Sequence, residues 1–217
     1  MTERIAVIDY GSGNLRSVEK AMQRAVADGG IDARVEVVSD GDAVRSASRI
    51  VLPGVGAFAD CMRGLSSLPG VLDALTDSVL TRGTPFLGIC VGMQLMARVG
   101  REHGEFAGLN WIGGAVSRLA PRDTSLKVPH MGWNELRIVH AHPLLAHAQY
   151  GAAAHAYFVH SFHFEADAAS DIAAEAEYGG PVVAAIARSN MFGTQFHPEK
   201  SQAFGLMLLQ NFARWRP

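Results

Sequence analysis

The segment Phe86-Leu-Gly-Ile-Cys-Val-Gly-Met-Gln-Leu-Met96 passes from an apolar run directly into a helical pattern. Its centre, Gly88-Ile-Cys90-Val-Gly92, has the spacing of a nucleophile elbow, with cysteine where serine is more usual. Such a sharp strand-to-helix turn brings backbone segments close together, which glycines permit, and it lifts the central side chain out of the sheet. The sequence therefore predicts that Cys90 is a nucleophile at the end of a buried strand.

A helix that begins just after Cys90 places its positive N-terminal end beside the sulfur. This favours the thiolate, which is the form of cysteine that attacks. The alternative is a buried packing cysteine, since many intracellular cysteines serve only as small apolar residues. Cys61, the other cysteine of the chain, has no such setting and is interpreted as a packing residue.

Strand and helix patterns alternate on both sides of a predicted strand at Pro85–Ile89. Further buried strands are predicted at Ile5–Asp9, Arg34–Val38 and Arg49–Leu52, and helices at Leu15–Val26, Ala57–Leu65 and Val71–Leu80. This order favours right-handed crossovers and a mostly parallel sheet covered by helices on both faces, with ligands at the carboxyl ends of the strands. The predicted class is a flavodoxin-like α/β fold.

The second half of the chain shows strand patterns with few helices between them, which predicts an additional, partly antiparallel β region. A strand and an amphipathic helix then close the chain. The strands are predicted at Trp111–Val116, Glu135–Val139, Ala156–Val159, Ile172–Glu175, Val182–Ile186 and Met191–Phe196, and the helix at Gln202–Trp215. Because no linker or repeat interrupts the pattern, residues 1–217 are expected to form one domain.

A cysteine nucleophile needs a base, and the best candidate is His197, which follows the predicted strand Met191–Phe196. Glu199 stands two positions later, and Pro198 keeps the link extended, so both side chains can lie on one side. The carboxylate can then hold the imidazole in one tautomer and orientation. Nine histidines make an accidental His-Pro-Glu plausible, so this motif gains its weight from the elbow.

The segment Leu52-Pro-Gly-Val-Gly-Ala-Phe58 also follows a predicted strand. Its glycines allow backbone N–H groups to turn toward a ligand, so it can supply an oxyanion hole. The alternative is an ordinary turn rich in glycine and proline. The position after a strand, at the same sheet edge as Cys90, favours the functional interpretation.

Composition excludes several classes of partner. A formal net charge of -2 gives no general attraction for nucleic acid or an anionic membrane. No apolar run of about 18 residues and no signal peptide are found, so the protein is expected in the cytosol. There, both cysteines would stay reduced.

Three other functions fit the sequence less well. A metal hydrolase is disfavoured because the sequence has no His-Glu-x-x-His or cysteine-ligand pattern. Histidines are nevertheless frequent in the second half, at positions His140, His142, His147, His155, His160 and His163. Dinucleotide binding is disfavoured because Arg16 stands where Gly11-Ser-Gly13 requires a third glycine. A redox sensor built on a cysteine elbow would not need the His-Pro-Glu segment.

Three motifs together resemble the class I, or triad, glutamine amidotransferases: Pro53-Gly-Val-Gly56, Gly88-Ile-Cys-Val-Gly-Met-Gln94 and Gln195-Phe-His-Pro-Glu-Lys200. The resemblance spans nearly the whole chain. Three further segments, Ile5–Ser17, Val128–Asn134 and Tyr157–Phe162, resemble the branch whose ammonia passes to a cyclase in histidine biosynthesis. Within them, Asp9–Asn14 and His130–Asn134 argue against the branches that feed anthranilate, aminodeoxychorismate or pyridoxal phosphate synthesis.

This resemblance implies hydrolysis of L-glutamine through a thioester at Cys90, without metal or organic cofactor. It also implies a heterodimer in which ammonia reaches a (β/α)8-barrel cyclase subunit. The implied residue roles are a triad of Cys90, His197 and Glu199; an oxyanion hole at Gly54, Val55, Gly56 and Val91; glutamine binding by Gln94, Glu102 and Ser161; and a partner interface or ammonia exit at Asn14, Tyr157 and Lys200.

Free ammonia is lost to solvent, so the resemblance further implies low activity until the cyclase binds its ligand. We hypothesise that the Val55–Gly56 peptide unit points its carbonyl inward at rest and leaves the oxyanion hole unformed. A glutamine-bound complex with this peptide unit unchanged would contradict the hypothesis.

Overall fold

The computed structural model describes residues 2–146 and 154–217. Five parallel strands form the first part of its large sheet, and their carboxyl ends lie at one edge. Numbered in chain order and given in spatial order, these strands are β2 (Ala33–Val38), β1 (Glu3–Ile8), β3 (Arg49–Gly54), β4 (Phe86–Cys90) and β13 (Met191–Thr194).

Four antiparallel strands extend this sheet beyond β13, so it has nine strands within the described residues. They are β12 (Pro181–Arg188), β11 (Ile172–Glu177), β8 (His130–Ile138) and β9 (His155–His160). A second sheet consists of β10 (Phe162–Ala166), β7 (Gly114–Arg118), β5 (Val99–Gly100) and β6 (Phe106–Ala107). The predicted α/β class, with a mostly parallel centre and an antiparallel addition, is confirmed.

Helices cover the parallel strands. They are α1 (Leu15–Asp28), α2 (Gly41–Arg45), α3 (Phe58–Ser67), α4 (Val71–Thr76), α5 (Val91–Gln94) and α6 (Gln202–Arg214). A π-helical turn, Asp77–Thr81, follows α4, and short 3-10 turns lie at Pro143–Leu145, Ala169–Asp171 and Pro198–Lys200. Right-handed crossovers from β1 to β2 and from β2 to β3 run in opposite directions along the sheet, which places α1 and α2 on opposite faces.

The core lies between these helices and the central strands. Every residue of β3 and β4 is buried, which explains why they read as apolar runs rather than as alternating patterns. On α1 the buried residues recur at helical spacing, and α1 packs against α6 as well as against β2. This packing fixes the carboxyl ends of β3, β4 and β13, from which the site described below is built.

Several predicted elements have different bounds in the structure, among them β8, which begins at His130 and not at the predicted Glu135. The helix predicted over Val71–Leu80 ends at Thr76 and continues as the π-helical turn. The strand predicted at Trp111–Val116 begins only at Gly114, because the backbone N–H groups of Trp111 and Ile112 both donate to the carbonyl of Met96 instead of to a strand.

The helix that follows Cys90, α5, is a single turn that ends at Gln94. The carbonyl oxygens of Leu95 and Met96 accept hydrogen bonds from residues 109, 111 and 112, so the chain leaves the helical path to meet the second sheet. A single turn has a weak dipole, so the predicted support of the thiolate by a helix N-terminus is correspondingly small.

Candidate active site

Cys90 lies at the sharp turn between β4 and α5. Its backbone is strained, with φ 53° and ψ -109°, a conformation that a non-glycine residue adopts only where its surroundings impose it. The neighbouring backbones are too close for side chains: a Cβ on Gly88 would lie 2.7 Å from the carbonyl oxygen of Gly92. This is the geometry of a nucleophile elbow.

Cys90 is only 5% exposed, yet it lines a pocket of about 340 Å³. That volume suits a small ligand. The pocket is lined by residues from β4, α5, the loop after β3, the turn between β9 and β10, and the 3-10 turn after β13, among them Val55, Gly56, Val91, Gln94, Glu102, Ser161, His197 and Lys200.

His197 and Glu199 form the second part of the site. His197 follows β13, which pairs with β4 in parallel, so residues far apart in sequence meet at one sheet edge. The Nδ1 atom of His197 lies 2.7 Å from Oε1 of Glu199, and both side chains are at most 1% exposed. Asn14 donates to the same carboxylate oxygen at 2.5 Å. The carboxylate is therefore fixed on two sides and orients the imidazole.

The electrostatics of His197 favour its charged form. Burial by itself lowers the pKa of His197, but its interaction with Cys90 and its hydrogen bond with the Glu199 carboxylate outweigh burial and raise the pKa to about 9. Among the described residues, Nε2 of His197 has no hydrogen-bond partner, so Cys90 acts on the ring by proximity rather than through a formed bond. At neutral pH the site therefore holds an imidazolium whose Nε2 proton is available for transfer.

The loop after β3 lies directly beside the sulfur. Gly54 is the register partner of Cys90, and Val55 and Gly56 line the pocket. Two side chains hold the carbonyls of this loop: the hydroxyl of Tyr10 donates to Pro53 at 2.7 Å, and Sγ of Cys61 donates to Val55 at 3.4 Å. The Val55 carbonyl thus faces Cys61 on α3, and any rotation of the Val55–Gly56 peptide unit must break that contact.

The three residues predicted to bind glutamine all line the pocket. Both amide hydrogens of Gln94 are used within the protein, by the carbonyl of Phe162 and by the side chain of Gln195, so its carbonyl oxygen is the atom left to accept from a ligand. One carboxylate oxygen of Glu102 accepts from the backbone N–H of Phe58 at 2.9 Å, where it caps α3. The other oxygen remains for a cationic ligand group.

The residues predicted at a partner interface are placed differently from one another. Asn14 supports Glu199 and so belongs to the site itself. Tyr157 and Lys200 lie together, with Nζ of Lys200 5.8 Å from the centroid of the Tyr157 ring. Trp133, which the sequence interpretation did not select, packs edge-on against Tyr157 at 6.0 Å and is 48% exposed.

Gln195 was also missed as an individual residue, although it is the first residue of the motif Gln195–Lys200. Its Nε2 lies 3.6 Å from Sγ of Cys90. The available signal was its spacing of two from His197, which in an extended segment places both side chains on the same side.

The histidines of the second half do not gather around a metal site. Among the described residues, no group of three or more potential ligands could hold a metal ion. His130 and His160 instead bond to each other at 3.0 Å. His147 lies outside the described residues. No helix in the described part of the chain is long and apolar enough to cross a membrane.

Comparison with known proteins gives consistent results. The family described as glutamine amidotransferase class-I matches residues 6–214. A protein of Brucella suis biovar 1 is 54% identical over 215 residues, and one of Rhodospirillum rubrum is 56% identical over 216 residues; each match covers 99% of this chain and 100% of the relative. Both relatives are named imidazole glycerol phosphate synthase subunit HisH.

Solved structures show the same fold at low sequence identity. One described as a glutamine amidotransferase has a TM-score of 0.69 at 17% identity, covering 97% of this chain and 99% of that chain. A glutamine amidotransferase from Thermotoga maritima has a TM-score of 0.62 at 16% identity, covering 92% of this chain and 77% of that chain.

Proposed function

This chain belongs to the class I glutamine amidotransferase family, and we propose that it is the glutaminase subunit of an imidazole glycerol phosphate synthase. It hydrolyses L-glutamine and delivers the ammonia to a cyclase subunit, which forms imidazole glycerol phosphate and AICAR in histidine biosynthesis. The observation that carries the proposal is the strained Cys90 in a pocket that also contains His197, whose ring is oriented by Glu199.

The reaction begins with the thiolate of Cys90, which attacks the side-chain amide carbon of glutamine. The negative charge that forms on the amide oxygen is held by backbone N–H groups, those of Val91 and of the loop Gly54 to Gly56. The carbon–nitrogen bond then breaks, its electron pair stays on nitrogen, and His197 donates the Nε2 proton to the departing ammonia. A γ-glutamyl thioester and a neutral imidazole remain.

Water completes the cycle. Neutral His197 removes a proton from water, and the resulting hydroxide attacks the thioester carbon. The carbon–sulfur bond breaks, which restores the Cys90 thiolate and the His197 imidazolium and leaves a carboxylic acid, whose proton passes to solvent as glutamate is released. Atoms and protons balance without a metal or organic cofactor. Since the thiol must stay reduced, the proposed compartment is the cytoplasm.

The proposed partner is a (β/α)8-barrel cyclase, and the proposed contact surface is a patch of Met131, Trp133, Tyr157 and Lys200. Met131 and Trp133 are 61% and 48% exposed, which is unusual for large apolar side chains. The patch is linked to the site by backbone, because the carbonyl of Tyr157 accepts from the N–H of His197. Ser201 strengthens this link by donating to the carbonyl of His197 and accepting from the N–H of Tyr157.

The experiment for this proposal measures glutamate and ammonia release by the purified chain, alone and with the cyclase subunit of the same organism. We expect slow hydrolysis alone, faster hydrolysis when the cyclase holds its nucleotide ligand, and no free ammonia while the cyclase turns over. Hydrolysis of glutamine with ammonia released to solvent in the active complex would reject the channelling part of the proposal.

Replacing Trp133 with alanine is expected to weaken cyclase binding by about 30-fold, the loss typical of a buried aromatic anchor in an interface. Calorimetric titration with the cyclase measures the change. Leu80→Ala is the matched control, because Leu80 is also a large apolar side chain, 51% exposed, but lies on the π-helical turn. Equal affinities of Trp133→Ala and Leu80→Ala would place the partner surface elsewhere.

The pH dependence of hydrolysis tests the role of Glu199. Because the folded-state pKa of His197 is raised to about 9, its proton is kept at neutral pH and is lost as the pH rises through 9, so activity should fall there. In Glu199→Gln the carboxylate no longer favours the imidazolium, and the alkaline limb of kcat/KM should move down by at least about one pH unit.

The same variant should lose about 10²-fold in kcat/KM near pH 8, since the imidazole also loses its orientation. Glu105→Gln serves as the control, because Glu105 is a 72% exposed carboxylate paired with Arg101. An unchanged alkaline limb in Glu199→Gln would show that Glu199 does not act on His197.

A further inference from the structure

Gln195 is a fully buried amide that contacts the proposed nucleophile. It follows β13 directly, beside β4, and its side chain is 0% exposed. Its Nε2 donates to Sγ of Cys90 at 3.6 Å, and its Oε1 accepts from Nε2 of Gln94 at 3.0 Å. Both ends of the amide are therefore satisfied, as buried polar groups require.

The direction of the Gln195 amide is fixed by a backbone carbonyl. The carbonyl oxygen of Phe162 can only accept, and it accepts from Nε2 of Gln94 at 3.0 Å. The NH₂ group of Gln94 must therefore face both Phe162 and Gln195, which leaves Oε1 of Gln195 toward Gln94. If the Gln195 amide were reversed, two NH₂ groups would face each other. Its NH₂ group must consequently point at the sulfur.

The Phe162 carbonyl is itself held by a chain of neutral histidines. His160 donates from Nδ1 to this carbonyl at 2.9 Å, and its Nε2 bonds to Nδ1 of His130 at 3.0 Å. Asn134 bonds to His130 and to the carbonyl of Glu177. Burial lowers the pKa of His130 to about 4 and that of His160 to about 3, so both rings stay neutral and each keeps one donor and one acceptor.

We propose that Gln195 is a further catalytic residue: its amide N–H donates to Sγ of Cys90 and stabilises the thiolate. Gln94 is the positioning residue that sets the direction of this donor. The stabilisation acts twice, before the sulfur attacks the amide carbon and when the sulfur leaves the thioester carbon. The hydrogen bond from Gln195 adds stabilisation of the thiolate, which the dipole of the single-turn helix α5 provides only weakly. This inference rests on the proposed glutaminase function.

The titratable groups near Cys90 allow its ionisation to be followed. They include His197, Tyr10 and Cys61, which interact electrostatically with it. Burial raises the pKa of Tyr10 and of Cys61, so both groups stay neutral to higher pH than usual. Alkylation by iodoacetamide, followed by mass spectrometry of the Cys90 peptide, therefore reports the thiolate at this position as a function of pH.

The test uses two variants of the full chain. Gln195→Glu keeps an acceptor toward Gln94 and loses the donor toward sulfur, whereas Gln195→Leu loses both. We expect each variant to raise the pH midpoint of Cys90 alkylation by at least about one unit. We also expect each to lower kcat/KM for glutamine by about tenfold to hundredfold, the effect of a hydrogen bond to a charged group. Gln23→Leu, an exposed glutamine on α1, is the matched control.

Each outcome of these measurements either supports or overturns the role proposed for Gln195. If Gln195→Glu alkylates and hydrolyses like the parent while Gln195→Leu is impaired, Gln195 acts only as the acceptor for Gln94, its donor to sulfur has no effect, and the inference is overturned. If both variants behave like Gln23→Leu, the contact to sulfur has no effect and the inference is again overturned. The proposed function fails separately, if the parent chain with its cyclase releases no glutamate. A shifted alkylation midpoint in a folded Gln195→Glu protein, shown by an unchanged melting curve, supports the inference.

Discussion

Cys90→Ala is expected to abolish glutamine hydrolysis, with kcat/KM lowered by at least about 10⁴. The thioester route needs a sulfur at this position, and the pocket contains no second nucleophile among its described lining residues that His197 and Glu199 are placed to serve. The folded structure should persist, because alanine is smaller and the substitution removes only a long contact, 3.6 Å, from Nε2 of Gln195 to Sγ. Steady-state glutamate release with the cyclase present measures the loss.

Cys61→Ala separates this effect from a general loss of thiol. Cys61 is also buried, and its sulfur donates to the Val55 carbonyl in the loop after β3. We expect it to change activity by no more than about tenfold, the limit for one neutral hydrogen bond. Retention of more than a tenth of the parent activity by Cys90→Ala would reject the covalent mechanism.

Gly92→Ala is expected to destabilise the fold by at least about 4 kcal/mol, the size of effect reserved for severe overpacking or strain. A Cβ on Gly92 would lie 1.8 Å from the carbonyl oxygen of Leu52, which is backbone of the buried strand β3 and cannot move aside. Strands β3 and β4 would have to separate at the elbow. Urea denaturation measures the free energy of unfolding, and any folded fraction should have lost glutaminase activity.

Gly113→Ala provides the comparison at a different kind of glycine. There the nearest atom, at 3.1 Å, is a carboxylate oxygen of Asp167, whose side chain is 54% exposed and paired with Arg98 at the surface, so it can shift by the few tenths of an ångström required. We expect a change within about 1 kcal/mol. Similar unfolding free energies for Gly92→Ala and Gly113→Ala would mean that β3 and the elbow do not pack as closely as described.

The parallel half of the fold could be predicted from the sequence because its strands are buried on both faces. Runs such as Ile50–Leu52 and Phe86–Ile89 have no polar positions, and the helices between them carry clear apolar stripes. The short strands β5 and β6, of two residues each, have too few residues to show any period. The length of α5 also escaped prediction, because long-range backbone bonds to Leu95 and Met96 end it rather than any local signal.

The site, like the fold, could be predicted only in part from the sequence. Cys90 and His197 could be paired because each follows a strand, and the structure makes β4 and β13 neighbours. The contacts of Asn14 with Glu199 and of Gln195 with Cys90 join residues 185 and 105 positions apart. Such side-chain contacts depend on register and rotamer, which no spacing pattern encodes. The sequence likewise does not distinguish Trp133 from an ordinary buried aromatic residue of a strand, because only the structure shows that it is exposed.

The most direct test of the account is covalent labelling of the chain, in complex with the cyclase, by a diazo-ketone analogue of glutamine, with the adduct mapped by peptide mass spectrometry. We expect one adduct, on Cys90, whose formation is suppressed by excess glutamine and absent in His197→Asn at neutral pH. An adduct on Cys61 alone, or no adduct when the cyclase and its nucleotide ligand are both present, would contradict the assignment of Cys90 as the nucleophile.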